Sequence, residues 1–313
     1  MDRRWRMVGT SRLMEERSPG YALPSFHCRK HVMGKRFWMG LLLVSCFGAA
    51  WAGGPGAVRK QVESSLLVNG TIDIQADGSV AGYTLERSDT IAEGIAGMIT
   101  RAVPLWRFEP IELDHGATRA RARMSLRLVA KEMEDGNLSV QFRGVRFFGP
   151  RRPGEFAASI KLQPPVYPRL AGQNGVGGTV YTVVKIGRDG RVEDAVAEQV
   201  NLRIVTSEND MASWRNLLAK AALRATKDWT FSPPTMGDEV GRSYWLVRVP
   251  IDFIPWNHRP TEDGQWQAYV PGPQQGIPWR SDDGANETAD AVAPGGVYPV
   301  ASGPRLLTAL TMP

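Results

Sequence analysis

The stretch Trp229-Thr230-Phe231-Ser232-Pro233 decides the fold of this chain, and it follows the turn Asp189-Gly190-Arg191-Val192 by 40 positions. An earlier turn, Asp77-Gly78-Ser79-Val80, is followed after 29 positions by a related stretch, Trp106-Arg107-Phe108-Glu109-Pro110. A longer helix and loop in the second copy would absorb the difference in spacing. The repetition predicts a small structural unit that occurs twice in the chain.

The second copy has the pattern of a β-hairpin, a helix and a closing strand. Apolar side chains alternate over residues 180–186, a glycine-containing turn reverses the chain, and residues 192–200 return. Ser207 is placed to cap a helix whose apolar residues recur at helical spacing. The closing strand alternates over residues 247–253 and contains Pro250, which favours the edge of a sheet because proline has no backbone donor.

The first copy follows the same order. A hairpin turns at Asp77-Gly78, a helix is predicted from Ser88 to Val103, and a third strand alternates over residues 124–130. The turn Asp135-Gly136-Asn137 adds a further hairpin strand that the second copy lacks. The predicted fold class is α+β, with two tandem units that each combine an antiparallel sheet with one helix.

Residues 160–254 resemble the C-terminal domain of the TonB family of energy transducers. The resemblance rests on Gln163-Pro164-Pro165-Val166-Tyr167-Pro168, on Gly178 and on the turn and tryptophan motifs of the second copy. Residues 57–130 resemble the same domain more remotely, because they keep the turn and the Trp-x-Phe-x-Pro pattern but have no Tyr-Pro motif. Family transducers also carry a retained membrane helix and a long Pro-rich spacer, which this sequence does not show.

The resemblance implies a periplasmic domain that binds the TonB box, a short extended segment of outer-membrane receptors, by β-strand addition. The contact positions that it implies are Gln163, Pro164, Arg248, Val249, Ile251 and Phe253. A core role for the side chains of Val249, Ile251 and Phe253 remains open, since their backbones could bind a peptide either way. The remaining motif residues are expected to pack or to form turns: Tyr167, Pro168, Gly178, Asp189, Gly190, Trp229, Phe231, Pro233, Asp77, Gly78, Trp106, Phe108 and Pro110.

The beginning of the chain predicts export. Lys35 and Arg36 precede an apolar run over residues 37–52, which is shorter than the roughly 20 residues of a membrane-spanning helix and ends in Ala50-Trp51-Ala52. Cleavage of a signal peptide and a periplasmic location are therefore expected. Two alternatives remain open, namely a lipoprotein acylated on Cys46, within a lipobox-like Leu-Val-Ser-Cys, and a retained inner-membrane anchor that would restore a transducer.

These patterns divide the chain into six parts. Residues 1–32 are expected to be an upstream extension, 33–52 a signal peptide, 57–150 a degenerate first unit with its extra hairpin, 151–163 a linker, 164–254 the TonB C-terminal-like domain, and 255–313 a Pro/Gly-rich disordered tail. Docking of the tryptophans of the tail onto the domains remains an alternative.

The charge and cysteine content of the mature chain limit its function classes. Residues 1–52 hold 9 of the 38 Lys and Arg residues and 3 of the 32 Asp and Glu residues, which leaves 29 of each in the remainder. A positive field that gathers nucleic acid is therefore not expected. Both cysteines, Cys28 and Cys46, lie in the part expected to be lost, so neither a disulfide nor a thiolate metal site is expected.

No catalytic residues, metal site or cofactor are expected. His115 and His258, the only histidines outside the leader, have no sequence neighbours at metal-ligand or catalytic-triad spacing. The expected activity is protein binding at the cell envelope, with an outer-membrane receptor peptide or another envelope protein as partner. The alternative is an envelope scaffold in which the two units pair with each other through their strand edges.

Overall fold

The computed structural model describes residues 54–113, 116–133, 136–150, 152–261, 264–280, 288–300 and 302–310. The expected upstream extension, signal peptide and Cys46 lipidation site lie outside these residues. In the described part of the chain, no helix is both long and apolar enough to cross a membrane. The architecture is α+β with antiparallel sheets, which confirms the predicted fold class.

The first half of the chain forms an antiparallel sheet with one helix of ten residues. Its elements are α1 (Pro55–Arg59), β1 (Glu63–Ile74), β2 (Val80–Leu85), α2 (Glu93–Ala102), β3 (Ala120–Glu132) and β4 (Leu138–Phe148). Strand β1 pairs with β2 on one side and with β3 on the other, and β4 adds to β3. The helix begins later than predicted, because residues 88–90 form a separate 3-10 turn and no side chain caps α2.

The second half forms a second, separate antiparallel sheet. Its elements are β5 (Ala158–Lys161), α3 (Arg169–Gln173), β6 (Gly178–Gly187), β7 (Val192–Leu202), α4 (Glu208–Thr226), β8 (Thr230–Ser232) and β9 (Tyr244–Phe253). Strand β6 lies between β7 and β9, while β5 and β8 form a small two-stranded sheet. As predicted, Ser207 caps α4, where its hydroxyl accepts a hydrogen bond from the amide of Asp210 at 3.3 Å.

The two halves share a local geometry at their hairpin turns. The carbonyl oxygen of Gly78 accepts a hydrogen bond from the amide of Phe108 at 2.8 Å, and Gly190 and Phe231 form the same bond at 2.8 Å. Both glycines have positive φ, 81° and 77°. In both halves the first strand of the hairpin is central and pairs with a long strand that lies beyond the helix in sequence, β3 in the first half and β9 in the second. That the halves are copies of one domain stays a prediction.

The sheet of the second half is buried on both faces. One face packs against α4 through Val180, Val184 and Leu218, which form a single apolar core. On the opposite face Tyr181 and Val183 are also buried. An antiparallel sheet usually leaves one face in water, so a further part of the chain must cover this one.

The C-terminal segment provides that cover, and the prediction of a disordered tail over residues 255–313 is wrong for its described residues. Strand β10 (Gln267–Tyr269) pairs with β1, and β11 (Tyr298–Pro299) pairs with β9. Between them Ala289, Ala291 and Val292 are fully buried. Ala289 and Val292 contact Phe148 of the first sheet and Tyr181 of the second. Burial of this apolar surface offsets the entropy of ordering the segment.

Candidate peptide-binding edge

Strand β9 presents its odd-numbered side chains to the core of the second half. Val249, Ile251 and Phe253 belong to the apolar cluster under α4 and are buried. The core role that the sequence left open for these three side chains is therefore correct. Any peptide that binds at this strand would have to use the β9 backbone rather than these side chains.

Pro250 shows which backbone groups of β9 face away from β6. Its carbonyl oxygen accepts a hydrogen bond from the amide of Gly295 at 3.1 Å. The nitrogen and the carbonyl of a strand residue point to the same side, so the nitrogen of Pro250 also faces away from β6. The missing N–H of the proline therefore costs no hydrogen bond to β6. Within its own domain β9 is thus the outermost strand, as the proline suggested.

The outer side of β9 is nevertheless occupied by the tail of the same chain. Strand β11 pairs antiparallel with β9, with Tyr298 opposite Arg248 and Pro299 opposite Val247. The amide of Val300 donates to the carbonyl oxygen of Leu246 at 2.9 Å. The expectation of a free edge around Arg248 and Val249 is wrong, because β11, which begins 45 residues after the end of β9, adds a strand there.

Arg248 does not present its side chain to a partner. The guanidinium is fully buried and forms two hydrogen bonds with the carboxylate of Glu198 on β7, at 2.6 and 2.9 Å. Burial with a paired opposite charge indicates a structural role for this side chain. Glu198 was not predicted from the sequence. It lies at a register shift between β6 and β7, and such irregularities commonly redirect a side chain.

Gln163 and Pro164 are the two predicted contact residues that do lie on the surface. The backbone carbonyl of Gln163 accepts a hydrogen bond from the indole Nε1 of Trp229 at 2.7 Å, so its side chain remains available to solvent. These two residues line a groove on the α4 side of the domain, and they are not adjacent in space to the strand-added tail. The structure therefore separates the predicted contact residues into two places.

Tyr167 fixes the segment that contains Gln163 and Pro164. Its hydroxyl donates to the carbonyl oxygen of Val176 at 2.7 Å, and its ring meets Phe253 edge to face at 5.6 Å. Burial raises the pKa of Tyr167 to about 12. The side chain thus packs, as expected, instead of contacting a partner.

The remaining motif residues pack or form turns. A Cβ atom on Gly190 would collide with the carbonyl oxygen of Phe231, and one on Gly78 with that of Phe108, so both turns require glycine. The carboxylates of Asp189 and Asp77 accept from the amides two residues later. Four aromatic motif residues are buried, namely Trp229, Trp106, Phe231 and Phe108. Gly178 lies against the backbone of Asn201, and Pro233 contacts the Gly190 turn. Pro168 is the N-cap residue of α3, and Pro110 is exposed.

A buried polar network fastens the tail to the first sheet. Arg127 on β3 donates from Nε to the carbonyl oxygen of Asp290 at 2.7 Å. The hydroxyl of Tyr269 lies 3.2 Å from a carboxylate oxygen of Glu63 and 3.3 Å from one of Asp290, and Arg143 pairs with Glu63. The tail therefore contacts both sheets through buried polar groups as well as apolar ones. Within the described residues, no group of three or more His, Cys, Asp and Glu residues could hold a metal ion.

Comparison with known proteins identifies the domain that carries β9. Residues 163–255 match the family model of the C-terminal domain of the Gram-negative bacterial TonB protein. No curated protein matches the chain. The domain match supports a TonB-like, protein-binding role at the cell envelope.

Proposed function

We propose that this chain is a periplasmic protein-binding module that accepts an extended segment of a partner by β-strand addition at the outer edge of β9. The partner class that fits the domain match is an outer-membrane receptor with a TonB-box segment. The tail strand β11 occupies the edge when no partner is bound. Export and cleavage of the leader are part of this proposal.

The observation that carries the proposal is the strand already added to β9. The tail follows the edge from Gly295 to Val300 and uses main-chain hydrogen bonds to Pro250 and Leu246. Main-chain pairing of this kind supplies affinity with little demand on the sequence of the added strand. An edge that accepts one extended segment antiparallel can accept another of similar shape, provided that the first can leave.

The added strand is short, which makes exchange feasible. Strand β11 has only two paired residues, and Tyr298 and Pro299 are half-buried rather than buried. By contrast, residues 289–292 are buried between the two sheets. Residues beyond β11 are docked as well, because the amide of Leu307 donates to the carbonyl oxygen of Arg107 and the side chain of Leu306 is buried in the core of the first half. We therefore expect β11 to leave β9 as a loop while the segments on both sides of it stay docked and keep the halves together.

The test weakens the tail without changing β9. Val300→Pro removes the amide that donates to Leu246, whereas Val300→Ala keeps that amide and serves as the matched control. Loss of one hydrogen bond of about 1 kcal/mol favours release of the tail about fivefold. We expect a synthetic TonB-box peptide, measured by isothermal titration, to bind Val300→Pro about fivefold more tightly than wild type or Val300→Ala.

The same experiment separates this proposal from the scaffold alternative, which the buried segment at residues 289–292 favours. A scaffold with a permanent tail would lose thermal stability in Val300→Pro and would bind no peptide in any variant. That result would reject strand addition by a partner. In the described residues the two sheets are not paired edge to edge, so the scaffold would be held together by the tail instead of by direct pairing of the units.

A further inference from the structure

A second surface of the domain, remote from the tail strand, has the shape and charge of a binding groove. It has a volume of about 820 Å³ and lies between α4 and the segment that contains Gln163 and Pro164. Helix α4 provides one wall, and Lys161 together with residues 163–169 provides the other. Strand β11 and its partners on β9 do not line it.

Cations surround this groove on both walls. Lys220, Arg224 and Lys227 recur at helical spacing on the exposed side of α4 and its C-terminal end, so they form one row. Lys161 and Arg169 face them from the opposite wall. Among the residues that the structure describes, none of these five cations makes an ion pair of 4.0 Å or less, although several ion pairs form elsewhere on the surface.

Acidic groups near the groove are few. Asp228 is the one acidic residue in its lining, and Arg191, a sixth basic residue there, lies 3.7 Å from Asp189 just outside it. Equal-sign charges that converge on a concave surface repel each other and create a field that attracts an opposite charge. The mature chain as a whole is nearly neutral, so this concentration of cations is local.

The floor of the groove is apolar. Leu217, Ala221 and Ala225 on α4 are half-buried beneath the row of cations, and Val166 on the opposite wall is 86% exposed. An apolar side chain that inserted between α4 and Val166 would bury this surface. The groove therefore combines an apolar floor with a basic rim.

We propose that this groove binds an acidic, extended segment of a partner protein, with its Asp and Glu side chains on the basic rim and an apolar side chain on the floor. The concave shape favours a single chain over a membrane, because a flat bilayer would reach the rim but not Leu217 or Ala221. This site does not depend on release of the tail, so it can act even if strand addition at β9 fails.

The test uses the whole mature chain and a defined probe. A fluorescein-labelled peptide of repeated Asp-Glu-Pro-Val is titrated with protein, and its anisotropy is measured at about 0.1 M and about 1 M salt, where the Debye length falls from about 10 Å to about 3 Å. A peptide with Asn and Gln in place of Asp and Glu is the uncharged control. We expect the acidic peptide to bind, the control peptide to bind at least about tenfold more weakly, and high salt to weaken binding of the acidic peptide.

A charge-matched pair of variants locates the site. The triple variant K220E/R224E/K227E reverses the row on α4, and R87E/R101E/K131E reverses the same number of exposed cations in the first half of the chain, none of which lines the groove. Circular dichroism checks that both remain folded. We expect the first variant to bind the acidic peptide at least about tenfold more weakly than wild type and the second to bind it as wild type does.

Three outcomes would overturn the proposal. Equal loss of binding in both triple variants would assign the attraction to net charge alone. Equal binding of the acidic and uncharged peptides would remove the role of the cations. Binding of phosphatidylglycerol vesicles, but not of the acidic peptide, by the wild type would assign the basic rim to a membrane surface.

Discussion

Arg248 and Glu198 form a bidentate ion pair that is closed to solvent, with Nε–Oε2 and Nη2–Oε1 distances of 2.6 and 2.9 Å. The pair joins β9 and β7, the two strands that flank β6, across the face opposite α4. The tail completes the enclosure, because the amide of Gln275 donates to the carbonyl oxygen of Glu198 at 2.7 Å. A charge on this face is tolerated only because its partner and the tail are both present.

Removal of one member of this pair should strongly destabilise the protein. Glu198→Gln leaves a buried guanidinium without a counter-ion, and we expect the free energy of unfolding to fall by about 3 to 5 kcal/mol. The measurement is urea denaturation at neutral pH. In the double variant Glu198→Met/Arg248→Met no charge remains buried, so most of the loss should be recovered; a double variant as unstable as Glu198→Gln would contradict the account.

Trp229 allows packing and hydrogen bonding to be measured separately. The ring is buried and its Nε1 donates to the backbone of Gln163 at 2.7 Å. Trp229→Ala should lower the free energy of unfolding by about 3 to 5 kcal/mol through lost packing. Gln163→Ala should leave it nearly unchanged, because the acceptor is the backbone carbonyl, and equal melting temperatures for wild type and Trp229→Ala would show that the ring is not part of the core.

Replacement of Gly190 by alanine should destabilise the protein much more than replacement of Gly136, a glycine with the same backbone conformation. Gly190 and Gly136 have φ of 77° and 79°, but a Cβ atom on Gly190 would meet the Phe231 carbonyl, whereas one on Gly136 would meet nothing within 4 Å. Gly136→Ala should lower the free energy of unfolding by about 1 to 2 kcal/mol, because alanine is disfavoured in the left-handed backbone conformation. Gly190→Ala should lower the melting temperature, measured by thermal denaturation, clearly more than Gly136→Ala does. Similar melting temperatures for the two variants would show that the collision with Phe231 does not matter for stability.

The second half of the fold could be predicted from the sequence because its signals are local. Alternation over residues 180–186 and 247–253 and the cap at Ser207 each depend on nearby residues, and the strands β6 and β9 and the helix α4 lie where those patterns placed them. The first half follows its hairpin pattern equally well. The helix start at Ser88 was wrong because an arginine in left-handed conformation, Arg87, precedes a separate 3-10 turn.

The occupied edge could not be predicted in the same way. Strands of two and three residues, such as β11 and β10, are too short to show any periodicity. Residues 288–292, Thr-Ala-Asp-Ala-Val, have no helical or strand pattern, and their burial depends on the space between two sheets that lie far away in sequence. One signal was present: Tyr181 and Val183 make the second face of β6 apolar, which indicated that something covers it.

Asp73 should make stability depend on pH in the acid range. Hydrogen bonds from Arg121 on the neighbouring strand, at 2.7 and 3.0 Å, hold the pKa of Asp73 below its usual value. A carboxyl with a lowered pKa in the folded state contributes stability above the ordinary Asp pKa, and this contribution is lost as the pH falls through the folded value. The stability advantage of wild type over Asp73→Asn, from urea denaturation, should therefore be present at pH 7 and shrink below about pH 4. An advantage that did not change with pH would exclude the carboxylate as its source.

Gly144 on β4 should control whether the tail can dock on the first sheet. A Cβ atom there would collide with the hydroxyl of Thr288 and lie 3.0 Å from its Cβ and Cγ2 atoms. We expect Gly144→Ala to loosen the tail near Thr288, so that limited proteolysis cleaves residues 288–300 sooner while the two sheets resist. Gly82→Ala, where the same atom would meet nothing within 4 Å, is the control. Adding Thr288→Ala removes the hydroxyl and Cγ2, so the double variant should regain much of the wild-type resistance; if it is cleaved as fast as Gly144→Ala, the collision with Thr288 is not what displaces the tail.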